Sequence, residues 1–452
     1  MRGVVVAGTA SGVGKTVATL ALCHGLQRLG HRVQPAKAGP DFIDPSHHAV
    51  VCDRPSRTLD PWLQSTAGMR RNYARGDDCD VCVVEGMMGL YDGDTSTATV
   101  AAGLDLPVVL VVDAAAGMES VAATALGFRA YARESPHDVD VVGVVAARAH
   151  GGRHEAGIRD ALPEGLAYLG RTPPRDDLTI PERHLGLHMG SEAPLPTEAL
   201  DAAADRLAGD RLFGLARAPS WYPPSPSPSD GVGWCDDATD APDSTGGSDA
   251  RVAVARDDAF CFVYPATLER LRDRASVATF SPVADDPLPP CDGVYLPGGY
   301  PERFAADLAA GSTLDAVADA AAAGVPVWGE CGGLMALSET LTVDGTDHRM
   351  AGVLPAQVRM TESVRALDHV ELAAERETLT AWCGETRRGH EFHHSTADVA
   401  SDARFAFDVV RGRGLDGRDG LLAYETLGTY AHLHAESGAV DRFLDVVASA
   451  ER

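Results

Sequence analysis

Residues 8–16, "GTASGVGKT", combine a glycine-rich loop with a lysine and a threonine. The loop follows the apolar run "GVVVAG" and precedes a helical pattern, which is typical of a phosphate-binding loop between a strand and a helix. Backbone N–H groups there, those of Gly12 and Gly14 included, would cradle phosphates at the helix N-terminus. Lys15 would reach the terminal phosphates, and the Thr16 hydroxyl would bind Mg²⁺.

Acidic residues that could accompany this loop stand at the ends of predicted strands. Glu85 follows a buried run in "CVVEG", Asp41 and Asp44 lie in "KAGPDFID", and Asp113 follows "VVLVV". Mg²⁺ on a triphosphate takes one or two carboxylates and keeps several waters. We therefore expect Thr16, Asp41 and Glu85 to bind Mg²⁺, and Asp44 to position the substrate and its acyl phosphate at the strand ends.

Lysine is scarce in this chain, since only two of its 39 basic residues are lysines, Lys15 and Lys37. If arginine has replaced lysine on the surface, the remaining lysines should stand where a compact point charge is needed. We hypothesise that Lys37 contacts the ATP phosphates and stabilises the transferring phosphoryl group. The loop departs from the usual GxxxxGKT pattern, because its first glycine is Gly8 and Thr9 fills the usual glycine position.

A second chemical site is predicted in "VPVWGECGGLMAL", which we interpret as a strand, a sharp turn at Cys331 and a helix. A cysteine at a helix N-terminus is expected to have a lowered pKa and to be a good nucleophile. Upstream, "YLPGGYPE" is a strand that ends in Gly298 and Gly299. The free N–H groups of Gly299 and Gly332 could form an oxyanion hole.

A cysteine nucleophile needs a base, and two late clusters, "GHEFHHS" and "TYAHLHAES", supply five candidates that the residues alone do not rank: His390, His393, His394, His432 and His434. An ATP site and a cysteine amidase site in one chain indicate ATP-dependent amidation. Glutamine would be hydrolysed at the cysteine, and its ammonia would attack a carboxylate that ATP has activated as an acyl phosphate.

The elements that must position these residues alternate between Val-rich strands and helices. Short, continuous apolar runs separated by helices predict an α/β fold, with a parallel sheet covered on both faces. The composition changes to Pro, Ser, Asp and Gly after Tyr222, and strand–helix alternation restarts at "RVAVARD". The sequence therefore predicts an ATP-binding, carboxylate-activating domain over 1–222, a linker over 223–250 and a glutamine amidotransferase domain over 251–452.

Composition excludes several classes of function. The formal net charge of −26 in 452 residues argues against nucleic-acid and membrane binding. Nine scattered cysteines without framework spacing favour the reducing cytoplasm. Low lysine with abundant acid resembles the composition of proteins from salt-loving archaea.

Nine stretches together resemble the cobyrinate a,c-diamide synthase family, which makes corrinoids with glutamine as the nitrogen donor. The matching stretches are "GTASGVGKT", "KAGPDFIDPSHH", "VEGMMGLYDG", "PERHLGL", "VARDDAFCFVYP", "YLPGGYPE", "WGECGGLMAL", "RGHEFHHS" and "YAHLH". The resemblance implies amidation of the a- and c-acetate groups of cobyrinate. It also implies ATP, Mg²⁺ and L-glutamine, an N-terminal P-loop, dethiobiotin-synthetase-like domain and a C-terminal class I amidotransferase-like domain. We also expect a homodimer.

The resemblance also orders the candidate bases. A Tyr-x-His pattern near the C-terminus maps onto Tyr430 and His432, which makes His432 the first choice and His434 the second. His434 stands where many relatives carry a glutamate, so a Cys–His dyad is expected rather than a triad. Related ATP domains often read adenine with an asparagine after the fifth strand, and here that position is Ala147.

Three alternative functions remain at this point. Nickel-sirohydrochlorin a,c-diamide synthase performs the same chemistry on another tetrapyrrole, and its motifs barely differ. Cobyric acid synthase shares both domain types, but "PERHLGL" and "HEFHHS" fit the diamide synthases better. A non-catalytic P-loop switch is the rival from another class, and Cys331 in its glycine turn argues against it.

Overall fold

The chain folds into two units in a computed structural model that describes residues 1–183, 186–222 and 250–450. The first unit comprises Met1–Pro61 with Ser65–Pro226, and the second comprises Trp62–Gln64 with Ser227–Arg452. The predicted linker over 223–250 lies outside the described residues except at its last position. Two residues of "PERHLGL", at 184–185, also lie outside them. No helix in the described part is both long and apolar enough to cross a bilayer.

The first unit is built on a seven-stranded sheet whose strands all run parallel, in the order β3-β2-β4-β1-β5-β6-β7. A short antiparallel pair, β8 and β9, follows it. The nine strands are β1 (Arg2–Gly8), β2 (Val33–Ala38), β3 (Arg57–Leu59), β4 (Val81–Glu85), β5 (Val108–Asp113), β6 (Val141–Ala147), β7 (Ala167–Arg171), β8 (Glu182–Arg183) and β9 (Gly186–Leu187).

Helices cover both faces of this sheet, which explains why its strands are continuous apolar runs rather than alternating ones. In β1, Val4 and Val6 pack into one core cluster, and Val5 packs into another. All three side chains are fully buried. The helices are α1 (Lys15–Arg28), α2 (Ile43–Cys52), α3 (Pro61–Ala74, with non-helical backbone at Ser65), α4 (Thr97–Leu104), α5 (Glu119–Tyr131), α6 (Arg153–Ala161), α7 (Thr197–Ala204) and α8 (Gly209–Leu215).

The strand order places the first site. β1 lies between β4 and β5, and β2 lies on the other side of β4. Because parallel strands end at the same edge of a sheet, the loops after β1, β2 and β4 meet there. These loops carry "GTASGVGKT", "KAGPDFID" and Glu85.

The second unit contains a ten-stranded mixed sheet and a four-stranded one, in the orders β11-β10-β12-β13-β22-β21-β20-β17-β18-β23 and β15-β14-β16-β19. Its strands are β10 (Arg251–Ala255), β11 (Ser276–Phe280), β12 (Gly293–Leu296), β13 (Val327–Glu330), β14 (Ser338–Val343), β15 (Thr346–Arg349), β16 (Leu354–Met360), β17 (Ala366–Ala374), β18 (Thr386–His393), β19 (Ser395–Val399), β20 (Arg404–Arg411), β21 (Arg418–Ala423), β22 (Thr426–Thr429) and β23 (His432–Leu433).

The ten-stranded sheet changes character along its length. The strands from β11 to β22 in spatial order pair in parallel, and every pairing beyond β22 is antiparallel. The helices are α9 (Pro265–Arg274), α10 (Ala305–Ala310), α11 (Thr313–Ala322), α12 (Gly332–Leu337) and α13 (Ala439–Ala450). Both units are α/β, and the predicted fold class is confirmed.

Candidate active sites

The glycine-rich loop is closed by its own lysine. Lys15 donates a hydrogen bond from Nζ to the carbonyl of Ala10 at 3.0 Å, and its side chain is only 8 % exposed. The Lys15 side chain passes so close to residue 8 that only glycine fits there. A Cβ on Gly8 would lie 2.7 Å from Lys15 Cδ and 2.8 Å from Val13 Cγ2. The displaced glycine is therefore required by the close packing of the lysine stem.

The Thr16 hydroxyl meets two carboxylates at the sheet edge. Its Oγ1 lies 2.8 Å from Glu85 Oε1 and 3.3 Å from Asp44 Oδ1. Glu85 is completely buried at the end of β4, and Asp44 lies in the first turn of α2. The side chains of Thr16, Asp44 and Glu85 thus join the starts of α1 and α2 to the end of β4.

Lys37 lies inside this acidic cluster, 4 % exposed at the end of β2. Its ammonium donates to Asp44 Oδ2 at 2.5 Å and to Glu85 Oε1 at 3.1 Å. Burial acts to lower the pKa of Lys37, but the surrounding carboxylates outweigh burial and raise it above its usual value. The same cation holds the pKa of Asp44 below its usual value, in spite of burial. Lys37 is therefore a fixed positive charge among carboxylates.

Asp41, which the sequence predicts as a metal ligand, lies beside Lys37. Its carboxylate lies 3.7 Å from Lys37 Nζ and accepts the N–H of Ile43, whereas Asp44 is the residue beside Thr16. Burial and the neighbouring Asp44 raise the pKa of Asp41 to about 7.

The third strand-end acid, Asp113, lies outside the Lys37 cluster. Its carboxylate pairs with both Nε and Nη2 of Arg148. Ala147, at the position where related ATP domains often read adenine, is completely buried at the end of β6.

Cys331 forms a strained turn between β13 and α12. Its φ of 47° and ψ of −99° lie outside the regions that L-residues usually adopt, as expected of a nucleophile on a strand–helix elbow. The turn is held by a hydrogen bond from the Cys331 N–H to the carbonyl of Thr429 at 2.6 Å. Sγ lies 3.8 Å from the carbonyl oxygen of Phe392.

The predicted lowering of the Cys331 pKa is wrong. Burial raises the pKa of this thiol well above its usual range, and the negative charges of Glu302 and Glu330 add to the effect. The hydrogen bond from the Gly332 N–H acts in the opposite direction but does not compensate. Position at a helix N-terminus is visible in the sequence, whereas the depth of burial is not.

Glycines bring the predicted oxyanion loop against the cysteine turn. A Cβ on Gly332 would lie 3.0 Å from the backbone N of Gly299. Gly299 has φ 156°, and a Cβ there would lie 2.2 Å from the carbonyl oxygen of Ala259. A Cβ on Gly298 would lie 2.2 Å from Cε1 of His432. The Gly298–Gly299 turn therefore touches both the residue after Cys331 and the imidazole of His432.

The two C-terminal candidate bases differ in their surroundings. His432 is 1 % exposed, and burial lowers its pKa to about 3, so the ring is neutral at working pH. His434 packs its ring 5.0 Å from that of Tyr264 and accepts the N–H of Glu436 at Nδ1. His434 thus caps a short 3₁₀ turn, which is a structural use of its ring.

The other three candidate histidines, all from the "GHEFHHS" stretch, make ring contacts with neighbouring aromatic or histidine side chains. His390 pairs across the strands with His432, with ring centroids 6.1 Å apart. His393 stacks on Tyr430 at 3.9 Å and donates from Nδ1 to the carbonyl of Ser395. His394 packs edge-on against Phe392.

Comparisons with known proteins match a different domain family to each half of the chain. The model of the CobQ/CobB/MinD/ParA nucleotide binding domain matches residues 4–187, and that of the CobB/CobQ-like glutamine amidotransferase domain matches 251–440. The chain is 65 % identical over 450 residues to a cobyrinate a,c-diamide synthase of Halobacterium salinarum, with 99 % of this chain and 98 % of the relative covered. The chain belongs to the cobyrinate a,c-diamide synthase family.

Further relatives extend this cobyrinate a,c-diamide synthase family. The Haloarcula marismortui protein of the same name is 61 % identical, with 99 % of both chains covered. A hydrogenobyrinate a,c-diamide synthase of Brucella suis is 38 % identical, with 97 % of this chain and 99 % of the relative covered. The chain is thus a glutamine-hydrolysing ligase, as predicted, and the resemblance to haloarchaeal proteins is confirmed.

Sequence reasoning missed one residue of the first site. His48 is fully buried, and its Nε2 lies 2.7 Å from Glu85 Oε2 while its Nδ1 lies 3.0 Å from Ser56 Oγ. It therefore fixes the carboxylate that also faces Thr16. A signal was present, because His48 follows Asp44 by four residues and so shares one face of α2 with it.

Two buried acids of the second site were missed as well. Glu330 precedes Cys331, is 2 % exposed, and accepts the Leu433 N–H at 2.8 Å and the Tyr295 hydroxyl at 2.6 Å. Asp419 is completely buried and accepts N–H groups from the segment just before His432. A charged residue at the end of an otherwise apolar strand, as in "VWGEC", was the available signal for Glu330.

Proposed function

We propose that this chain converts the a- and c-acetate carboxylates of cobyrinate to amides, with ATP and with ammonia from L-glutamine. The observation that carries the proposal is the acidic cluster around Lys37 at the end of a phosphate loop, in a chain that also carries a strained cysteine turn. Family membership with near-complete coverage supports the substrate class. We keep the domain boundaries 1–222 and 251–452, which contain the two matched ranges.

In the first unit, ATP would transfer its terminal phosphoryl group to a carboxylate oxygen of the corrinoid, which gives an acyl phosphate and ADP. Lys15 and the loop N–H groups, those of Gly12 and Gly14 included, would hold the phosphates. The fixed charge of Lys37 would stabilise the negative charge that builds up on the transferring group. Ammonia then displaces phosphate to give the amide.

The residues present fit Mg²⁺. Thr16, Glu85 and Asp44 offer only oxygen ligands, and their spacing allows one ion to be shared with phosphate oxygens and water. We propose Thr16 and Glu85 as its ligands. We add Asp44 as a candidate ligand, because its Oδ1 lies 3.3 Å from Thr16 Oγ1, and the predicted role of Asp41 as a ligand stays a prediction. When bound, the ion would neutralise charge on the β- and γ-phosphates.

In the second unit, Cys331 would attack the side-chain carboxamide carbon of glutamine while His432 accepts the thiol proton. The oxyanion that forms would receive the N–H groups of Gly299 and Gly332. His432 then gives the proton to the leaving nitrogen, which departs as ammonia and leaves a thioester. Water hydrolyses the thioester to glutamate and regenerates the thiol.

Replacing the nucleophile separates the two reactions. Cys331→Ser should abolish glutamine-dependent amidation and leave amidation with free ammonium salts near wild type, because the first unit does not use the thiol. Cys383→Ser is the matched control, since Cys383 is exposed, and it should leave both reactions unchanged. Loss of the ammonia-dependent reaction in Cys331→Ser, or glutamine use that persists, would contradict the proposal.

The substrate is tested by mass spectrometry of the products. Cobyrinate, hydrogenobyrinate and nickel-sirohydrochlorin are each incubated with ATP, Mg²⁺ and glutamine. We expect two carboxyl-to-amide exchanges on cobyrinate. Exchange on nickel-sirohydrochlorin alone would assign the chain to that alternative.

A further inference from the structure

The short segment that carries His432 is held by buried carboxylates through its backbone. Tyr430 and Ala431 donate their N–H groups to Asp419, at 3.0 and 3.1 Å, and Leu433 donates to Glu330 at 2.8 Å. Strand β23 has only two residues and pairs with β18, so these three hydrogen bonds add to a short strand pairing. The carboxylates therefore supply much of the order that the base needs.

Glu330 differs from Asp419 in its place in the chain. It is the last residue of β13 and is bonded covalently to Cys331, the proposed nucleophile. Its side chain crosses to the residue that follows His432, the proposed base. One residue thus ties the backbone of the nucleophile to the backbone of the base.

The contact survives a change of protonation state. Burial raises the pKa of Glu330 to about 8, and its two hydrogen bonds act in the opposite direction. As a carboxylate, Glu330 accepts from both Leu433 and Tyr295. As a neutral acid, its carbonyl oxygen still accepts the Leu433 N–H, while its hydroxyl donates to the phenol oxygen of Tyr295. The shape and reach of the side chain, and not its charge, maintain the link.

We propose that Glu330 is a positioning residue of the glutaminase reaction, which holds His432 against Cys331 through the peptide group of Leu433. The inference rests on the proposed Cys331–His432 pair. In a catalytic triad, an acidic side chain orients the histidine by accepting a hydrogen bond from its imidazole. Here Glu330 would orient His432 through a backbone hydrogen bond instead. His434, two residues after His432, cannot supply such an acid.

Three exchanges at position 330 test this role. Glu330→Gln keeps the reach, because its amide oxygen can accept from Leu433 and its NH₂ can donate to Tyr295. Glu330→Asp keeps the carboxyl group but is one methylene too short, and Glu330→Ala removes both the carboxyl group and the reach. Since a displacement of about 1 Å can cost about 100-fold in rate, we expect the Asp and Ala variants to lose about 10- to 100-fold in glutaminase kcat. Their KM for glutamine should change far less.

The conservative exchange decides the outcome. Glu330→Gln should keep glutaminase kcat within about threefold of wild type and should keep a normal pH profile. A Gln variant as impaired as the Ala variant, or an Asp variant with wild-type kcat, would overturn the proposal. Because the Ala variant could simply misfold, the comparison of Gln with Asp carries the test, and ammonia-dependent amidation should stay normal in all three.

A matched control removes similar contacts elsewhere in the second unit. Asp285 accepts the N–H groups of Ser312 and Thr313, so Asp285→Ala also deletes a carboxylate with two backbone partners. It should leave glutaminase kcat unchanged.

The outcomes of these experiments also distinguish failure of the proposed function from failure of the positioning role. Glutaminase that survives Cys331→Ser overturns the proposed function, whereas a silent Glu330→Asp beside an inactive Cys331→Ser overturns only the positioning role.

Discussion

At the scale of single residues, burial and the neighbouring charges together decide which buried groups are ionised. Lys37 stays cationic because carboxylates surround it, whereas Cys331 and His432 are both kept neutral by desolvation. The first site therefore holds a permanent cation. The second holds a neutral thiol and a neutral imidazole, which we propose as nucleophile and base.

Lys37→Arg should lower amidation about 100-fold or more with either glutamine or ammonia as the nitrogen source. The larger planar guanidinium does not fit a buried space shaped by Asp44, Glu85 and the carbonyl of Gly86. Steady-state rates of product formation measure the effect, and glutaminase activity should persist. Turnover near wild type would show that any cation suffices there. Arg251→Lys, on an exposed residue, is the reverse exchange and should be silent.

Alkylation of Cys331 by iodoacetamide, without glutamine, should accelerate as pH rises through 7 to 10. The raised pKa keeps the thiol protonated at neutral pH, and each step upward in pH increases the thiolate fraction. Peptide mass spectrometry of Cys331 at several pH values measures the rate. A rate independent of pH between 6 and 8 would instead indicate a thiolate–imidazolium pair in the free protein.

At the scale of elements, tight turns place the reacting groups. Gly333 follows the cysteine turn in α12, and a Cβ there would lie only 2.0 Å from the carbonyl oxygen of Leu296 in β12. The helix start therefore packs directly against the neighbouring strand. This contact packs the Cys331 turn against β12, the strand that leads into the Gly298–Gly299 turn.

Gly333→Ala should destabilise the second unit by roughly 1–3 kcal/mol, because the added methyl forces backbone to move apart. It should also reduce glutaminase activity. Thermal unfolding and glutamine hydrolysis measure the two effects. Gly127→Ala in α5 is the control, since its Cβ would meet nothing within 4 Å, and it should be neutral or slightly stabilising. Equal midpoints for the two variants would refute the packing argument.

The elements that the sequence predicted correctly are those whose own residues form a recognisable hydrophobic pattern. Val-rich runs such as β1 and β5 are buried on both faces, so composition alone identifies them. The antiparallel half of the ten-stranded sheet was not predicted, because a strand such as β18, "TRRGHEFH", is mostly buried but has almost no apolar side chains, and so lacks the hydrophobic pattern that marks a strand. The environments of Glu330 and Cys331 depend on pairing between distant segments, which a single sequence does not reveal.

At the scale of the whole molecule, the dominant feature is negative charge. The formal net charge is −26, and the acidic side chains repel one another over about 10 Å at 0.1 M ionic strength and over about 3 Å at 1 M. Repulsion of this kind disfavours the compact state. Stability should therefore depend on salt.

The thermal midpoint should rise when KCl is increased from 0.1 M to 1 M. Because salt acts by screening the repulsion between surface carboxylates, the midpoint of a variant with fewer surface acids should rise less with salt. Glu134→Gln with Asp138→Asn removes two exposed carboxylates and should have a higher midpoint at 0.1 M. Differential scanning calorimetry measures both. Midpoints that do not change with salt would show that the surface charge is not what limits stability.

The buried, protonated Cys331 has a consequence for survival under oxidative stress. Peroxide attacks thiolates far faster than thiols, and oxidation beyond the sulfenic acid is irreversible. Because its pKa is raised, the thiol of Cys331, the proposed nucleophile, should be oxidised slowly at neutral pH. Under peroxide, the glutaminase activity of this protein should therefore be lost more slowly than the activity of enzymes in the same cell that depend on an exposed cysteine of low pKa.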